Sequence, residues 1–401
     1  MSATPEIGQA YTSVVELGAC TLARRAEMLS VFNGDDRVHL DLEGRLHRAW
    51  LGGDSFQRGI DGRVRRVHVE RGPGAPRWLD IDVFGPEQAE PILERVIERV
   101  HRAAALAAER DLPPAIAEPL ERAVAWDLAR YRDELAHFSR VYRPIPILPP
   151  DQNRALVVQI TEGCSFNRCT FCHLYKDVRF RLRAPDELRQ HVGAVRDLFG
   201  RALSLRRGVF LGQANALVVD QKKLTALVRL ISEELGEQPL GAFIDSFTRP
   251  KTADELAELG ALGLESVALG LESGSAGVLA GLGKPVEVDA AVKLVVSVGE
   301  AGIRRGVIVL VGAGGHRLAG EHVERTSAAI EAMQLGPRDR VYLSPLHVIP
   351  GSAYEARLRD DALEPLSSAE LVEQGDALRE RLRQSGVTAP IALYDIRRFI
   401  Y

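Results

Sequence analysis

The apolar positions of this chain change their period twice along its length. Residues 14–31 carry apolar side chains at helix-like spacing and predict a helix. Residues 37–84 alternate instead, as in VHLDL (38–42) and VRRVHV (64–69), around turns such as Asp61-Gly62, and predict strands. Two helical patterns follow. One opens after Pro86 and gathers Ile92, Val96, Ile97 and Val100. The other opens near Pro113-Pro114, where proline suits a first helical turn. The segment PIPILPP (144–150) is stiff and extended, and it closes an N-terminal α+β module spanning residues 1–150.

From residue 154 short apolar runs alternate with amphipathic helical patterns. Strands are expected at 155–160, 208–211, 241–245, 266–271, 306–311 and 341–346. Helices are expected near 185–199, 221–235, 252–262, 287–301 and 320–333, with a last one near 367–384. In the helix at 221–235, Leu224, Leu227, Val228, Ile231 and Leu235 share one face. The strand runs are nearly all apolar, as in a parallel sheet covered on both sides. Six β-α units define an α/β fold, a partial (β/α)6 TIM-like barrel over residues 151–365. Residues 366–401 form a C-terminal helix and a tail. The tail, ALYDIRRFIY (392–401), is rich in large side chains, so it should dock and bring Tyr394 or Asp395 to the edge of the barrel cavity. In such barrels the active site lies at the C-terminal ends of the strands.

Composition narrows the class. Of 401 residues, 46% are hydrophobic and 26% charged, which excludes wholesale disorder. Lys plus Arg is 51 and Asp plus Glu is 55, a formal net charge of −4 that makes no general case for nucleic acid or an acidic membrane as partner. No window approaches about 18 consecutive apolar residues, so no membrane span is expected. The start, MSATPEIGQAY, lacks the basic and apolar segments of a signal peptide, and a cytoplasmic location is expected.

The four cysteines change the picture most. Three fall in TEGCSFNRCTFCHLY (161–175), just past the first barrel strand: Cys164, Cys169 and Cys172, spaced C-x4-C-x2-C. Thiolates this close in sequence suit a soft metal centre. A zinc site would recruit His173 as fourth ligand, although its adjacency to Cys172 is awkward for one ion. Covalent haem would use Cys169, Cys172 and His173 as C-x-x-C-H, which leaves Cys164 without a role. A [4Fe-4S] cluster held by three thiolates leaves one iron open to a small molecule.

On these residues the segment from about 154 to 355 resembles the radical S-adenosylmethionine (radical SAM) enzymes, with one residue more between the first two cysteines than the commonest family spacing. The resemblance implies a [4Fe-4S] cluster bound by Cys164, Cys169 and Cys172, with S-adenosylmethionine (SAM) chelating the open iron. It implies reductive cleavage of SAM to a radical that modifies a small organic substrate, oxygen sensitivity, and an electron donor such as flavodoxin or ferredoxin. Phe171 matches the family's aromatic position near the cluster. VFLGQANAL (209–217) occupies the place of a Gly-Gly-Glu-like motif, so Gly212 with Gln213 or Asn215 would meet the methionine ammonium. LGLESGS (269–275) closely resembles a run found in several branches of the family, with Glu272 for the ribose hydroxyls and Ser273 as a second polar contact. Lys284, twelve residues further on, would meet the SAM carboxylate. SPLHVIPGS (344–352) resembles a late Pro-Gly turn, with Val348 beside adenine. Tyr175, Asp245 and His347 stand at strand ends as candidates for substrate binding or proton transfer. Arg305 precedes its strand and is expected at the other end.

Cys20 alone lies outside the triad, so a second cluster fully ligated by cysteine is not expected within one chain. No D-x-H-x-x-G pattern for cobalamin is present. The alternatives are a non-enzymatic Fe–S electron carrier or redox sensor, and a radical SAM-type aminocarboxypropyl transferase. The substrate, the reaction outcome and the oligomeric state are not legible.

Overall fold

The computed structural model describes residues 11–70, 77–360 and 363–401. Contacts divide the chain into two compact units. The first runs to Ile147 and also takes in Ala194–Arg206 and Arg397–Tyr401; the second comprises Leu148–Gly193 and Arg207–Ile396. The chain therefore returns twice to the first unit, where the sequence suggested contiguous segments.

The first unit is built on an antiparallel sheet whose eight strands lie in sequence order. They are β1 (Ser13–Glu16), β2 (Thr21–Arg24), β3 (Met28–Asn33), β4 (Asp36–Asp41), β5 (Leu46–Leu51), β6 (Asp54–Arg58), β7 (Val64–Glu70) and β8 (Arg77–Phe84). The helix expected over 14–31 is thus replaced by strands. Tight turns near Gly18 and Arg25 interrupt the period of two, so inward positions of separate strands fall at helix-like separations. The alternation within each strand places Leu22, Leu29, Val31, Val38, Ala49 and Phe56 in one core. That core is covered by α1 (Pro86–Ala107) and α2 (Pro114–Val124), through Leu93, Val96, Val100, Ile116 and Leu120. A third helix, α3 (Leu128–Val141), follows. Arg45 is buried and fully engaged. It pairs with Asp41 at 2.6 Å and Glu134 at 2.9 Å, and donates to the carbonyls of Leu198 and Phe199 at 2.9 and 2.8 Å. The C-terminal Tyr401 packs against Tyr142 and Phe199, with ring centroids 5.7 and 6.3 Å away.

The second unit opens with β9 (Leu156–Gln159) and a short hairpin of β10 (Thr161–Glu162) and β11 (Arg181–Leu182). There follow α4 (Pro185–Phe199, its end in the first unit), β12 (Val209–Gly212), α5 (Gln221–Leu235), β13 (Leu240–Ile244), α6 (Ala253–Ala261) and β14 (Leu264–Glu272). Then come α7 (Ala276–Gly281), α8 (Val288–Glu300), β15 (Arg304–Val311), α9 (Gly315–Ala332), β16 (Arg340–Pro345), α10 (Ala353–Asp360), α11 (Ser368–Gln384) and β17 (Ile391–Leu393). The sheet order is β9-β12-β13-β14-β15-β16-β17, all parallel. Every residue of β9 and β12 is buried, which is why these strands read as almost wholly apolar runs. The six expected strands are present, and β17 adds a seventh. Its three residues carry too little pattern to be seen in sequence; pairing with Val341–Leu343 fixes it. Among the described residues, no helix is long and apolar enough to cross a membrane.

At the N-terminal end of the sheet, Arg305 pairs with Asp339 at 2.6 Å, and the backbone N–H groups of Arg305 and Gly336 donate to the same carboxylate. Burial would raise the Asp339 pKa, but Arg305 and these backbone donors hold it below the ordinary carboxylate value. A carboxylate depressed on folding stabilises above its unfolded pKa and loses that contribution as pH falls through the folded one. Asp339→Asn is therefore expected to be less stable than the parent at pH 7. The difference should shrink when melting is measured at progressively lower pH, below about 4. A difference that holds constant down to the acid transition would exclude this contribution.

Candidate functional site

The loop between the paired strands β10 and β11 carries the three cysteines, and several contacts shape it. Gly163 opens it at φ +73°, and a Cβ there would lie 2.6 Å from the Val178 carbonyl oxygen. The Gly163 N–H donates to Gln213 Oε1 at 2.8 Å, and Thr161 Oγ1 donates to the Gln213 carbonyl at 2.9 Å. Asn167 turns the chain at φ +47°, and its N–H points to Cys164 Sγ at 3.4 Å. Lys176 Nζ closes the loop on the carbonyls of Asn167 and Cys169, at 2.9 and 3.0 Å. Thr170 ties it to the end of α7, its N–H donating to Leu282 O at 2.9 Å and its hydroxyl to Gly281 O at 3.1 Å. This seam brings Cys169 beside Lys284.

Burial pushes the Cys169 thiol up to about 12. Lys284 opposes the shift, while Cys172, Glu272 and Cys164 add to it. Cys172 is likewise raised by burial, then by Cys164 and Glu272, against a backbone N–H and Lys176. The three sulfurs thus lie in one electrostatic neighbourhood with Glu272 and Lys284. Among the described residues, no three His, Cys, Asp or Glu side chains close around the position of a single ion. A cluster of four irons does not ask for that, because each thiolate binds a different iron and the donors stand further apart than around one metal. Three thiols gathered beside a lysine are a donor set suited to a soft cationic centre, and they fit such a cluster.

Glu272 ends β14 where its register against β15 slips, and it takes φ +63°, a strained conformation for a residue with a side chain. Its Oε1 meets Lys284 Nζ at 3.0 Å, both side chains being about nine-tenths buried. Lys284 also donates to the Gly270 carbonyl and lies 5.7 Å from the centroid of Phe247, whose ring packs edge-on against Phe166 of the cysteine loop. A Cβ at 270 would collide with the Glu272 carboxylate and approach Lys284 Nζ to 3.2 Å, so a larger residue there would displace the pair. The adjacent Ser273 is fully buried. Its hydroxyl bonds His322 Nδ1 at 2.8 Å and accepts from the Ser275 N–H at 3.0 Å, so it is engaged within the protein.

The other candidates occupy the same end of the sheet. Gly212 closes β12, with Val157 Cγ1 3.3 Å from where its Cβ would be. Gln213 spends its side-chain oxygen on the cysteine loop, as above. Asn215 donates to Asp245 Oδ2 at 2.8 Å, while its own Oδ1 is buried and, among the described residues, has no hydrogen-bond partner. Asp245 is occupied: Oδ1 accepts from the N–H groups of Phe247 and Thr248, and Oδ2 from the Thr248 hydroxyl. Phe171 and Val348 pack on one apolar shelf that includes Val278, Leu310 and Leu346. His347 Nε2 lies 3.3 Å from Asp395 Oδ1. Tyr175 is buried; burial raises its pKa, and the nearby Ala214 N–H opposes that shift.

The sequence left Phe247 and His322 unnoticed and placed Tyr394 only loosely. β17 delivers Tyr394 to this end of the sheet, with its N–H on Leu343 O at 2.8 Å and its ring 5.8 Å from Tyr342. Its hydroxyl is buried and, among the described residues, has no hydrogen-bond partner. Burial, then Tyr175 and Glu272, raise its pKa, which places it within electrostatic reach of the site. An unpaired buried hydroxyl costs about 1–3 kcal/mol, whereas losing a paired one forfeits about 1 kcal/mol. Tyr394→Phe is therefore expected to melt at or above the parent's temperature, and Tyr175→Phe below it. Calorimetry of both variants checks this; a Tyr394→Phe protein that melts lower would show that the hydroxyl has a partner.

Residues 158–326 match the family model of the radical SAM superfamily. The matched segment runs from β9 into α9 and is similar to that superfamily's domain. A search of curated proteins finds no match. Among solved structures, coproporphyrinogen III oxidase (HemN) from Escherichia coli aligns at 18% identity, over 65% of this chain and 62% of that one, with a TM-score of 0.46. The radical SAM methyltransferase TsrM from Kitasatospora setae aligns at 18% identity, over 55% and 44%, with a TM-score of 0.42. SuiB from Streptococcus suis, solved with SAM bound, aligns at 13% identity, over 86% and 72%, also with a TM-score of 0.42. The chain covers less than two thirds of the first two.

Proposed function

We propose that this chain is a radical SAM enzyme that cleaves SAM reductively and uses the resulting radical on a small organic substrate. The observation that carries the reading is the seating of three half-buried cysteines of one loop beside the Glu272–Lys284 pair, within residues matching the superfamily. Cys164, Cys169 and Cys172 would hold a [4Fe-4S] cluster. When bound, such a cluster supplies the electron that breaks a carbon–sulfur bond of SAM.

The protein's own part is binding and orientation. Lys284 meets the SAM carboxylate and Glu272 the ribose hydroxyls, so each exchanges its partner for a ligand group and neither charge is left bare. Gly212 lets the ligand approach the backbone, and Asn215 Oδ1 is a ready acceptor for the methionine ammonium. Phe171 and Val348 give adenine an apolar wall. Gln213 and Asp245 fix the loops that carry these groups. The substrate side falls to Tyr175, Tyr394 and His347, with Asp395 orienting the imidazole. An external one-electron donor, of the flavodoxin or ferredoxin kind, completes the cycle.

The test is anaerobic reconstitution with iron and sulfide, then reduction in the presence of SAM. The expected products are 5′-deoxyadenosine and methionine. Absence of any SAM fragment from a fully loaded protein would sink the proposal, and methylthioadenosine in place of 5′-deoxyadenosine would redirect it to aminocarboxypropyl transfer.

A further inference from the structure

We propose that the face of the N-terminal sheet turned away from its core binds single-stranded oligonucleotide. The net charge of −4 conceals how the positive charge is distributed. Strand register places two cross-strand rows on that face. One runs Phe32, Arg37, Trp50, Ser55. The other runs Ser30, His39, Arg48, Gln57, Arg65. The opposite parity (Val31, Val38, Ala49, Phe56) is the core. Arg25 borders the rows: its guanidinium lies 4.5 Å from the centroid of Tyr11, whose ring meets Phe32 edge-on at 6.1 Å, and Phe32 in turn meets His39 at 6.2 Å.

The cations are close enough to oppose one another. Burial, then Arg25, Arg48 and Arg37, push His39 down to about 4, which leaves it neutral at pH 7. Arg65 is lowered by burial, then by Arg48 and Arg398. Among the described residues, neither Arg37 nor Arg48 has a carboxylate within ion-pair distance. Arg48 is exposed. Gathering like charges without counter-ions is unfavourable in the free protein and becomes favourable when an anion binds. The first row sets an arginine between two aromatic rings, so a chain of alternating phosphates and flat bases matches it: phosphates to the guanidinium groups, bases to Phe32 and Trp50. A duplex hides its base faces from such rings, and an acidic protein surface would engage the arginines but has no use for the rings.

The experiment is fluorescence anisotropy of the full-length protein with labelled oligo(U) and oligo(dT) across a salt series. Binding is expected, with log affinity falling against log salt by about 0.7 for each phosphate neutralised. Arg37→Gln/Arg48→Gln should flatten that slope by about two such steps, and Trp50→Leu should weaken binding by about tenfold or more. Thermal melting identifies variants that fail to fold, and Arg48→Gln alone, at an exposed position, preserves the test if they do. Tighter binding of oligo(U) identifies RNA as the ligand, and equal binding a generic single strand. The proposal is overturned if neither oligonucleotide binds at low salt, if the slope is unchanged in the arginine variants, or if a polyglutamate peptide binds as tightly, which would make this a docking face for an acidic protein.

Discussion

Cys169→Ala is expected to fold like the parent and to lose its iron and its SAM cleavage together. The residue sits in a loop whose fold is set by other contacts: Gly163 on Gln213, Lys176 on two carbonyls and Thr170 on the end of α7. None of these needs the sulfur, so the melting temperature of the metal-free protein should change little. The thiol itself is held protonated by burial, and a soft cation is what makes its thiolate favourable. Partners that only orient metal ligands cost about 10–100-fold when removed, and a ligand costs more. Formation of 5′-deoxyadenosine should therefore fall by at least about a hundredfold, with iron content near background. Cys20→Ala is the control: that thiol is buried in the other unit and pushed up to about 11 by burial alone. A Cys169→Ala protein that keeps both iron and cleavage would remove the cysteine triad from the mechanism.

The second large effect concerns Glu272 and Lys284. The two side chains are paired at 3.0 Å and mostly buried, so removing one partner strands the other charge. Breaking a buried pair typically costs about 3–5 kcal/mol, and Lys284→Met should lower the stability of the barrel unit by that order. Replacing both, as Glu272→Gln/Lys284→Met, removes the stranded charge and should recover much of the loss. SAM affinity separates the roles. If the pair exists only to hold β14 to the loop beyond α7, the double variant regains binding along with stability. If the two residues contact SAM, stability returns and affinity does not. Chemical denaturation together with SAM titration of the reconstituted protein gives both readings, and recovery of both would limit the pair to a structural role.

Much of the site was legible because its parts are local in sequence. Cys164, Cys169 and Cys172 lie within one loop, so spacing marked them, and Glu272 with Ser273 lie within one strand end, where the resemblance of a short run marked them. What those groups do to one another was not legible. Ser273 reads as a ligand contact, yet the chain turns it inward onto His322, 49 residues away. Gln213 reads as a ligand contact and instead spends its side-chain oxygen on Gly163, 50 residues away. The N-terminal reading failed at 14–31 for a related reason. Short strands joined by tight turns produce a spacing that one helix would also produce, and only pairing with neighbours distinguishes them.

By itself the sequence determined the parallel α/β unit, and it marked one end of the sheet, with three thiols, as the candidate site. These follow from the apolar period and from residue identity, both of which act over a few residues. The tertiary structure decided the rest. It paired Glu272 with Lys284, added a seventh strand too short to carry a pattern, and brought the Tyr394 hydroxyl to the site without a partner among the described residues. It also gathered the arginines of β4, β5 and β7 on one sheet face. Charge and hydrogen bonding depend on distance in space, and composition averages them over the chain; the fold is what sets those distances.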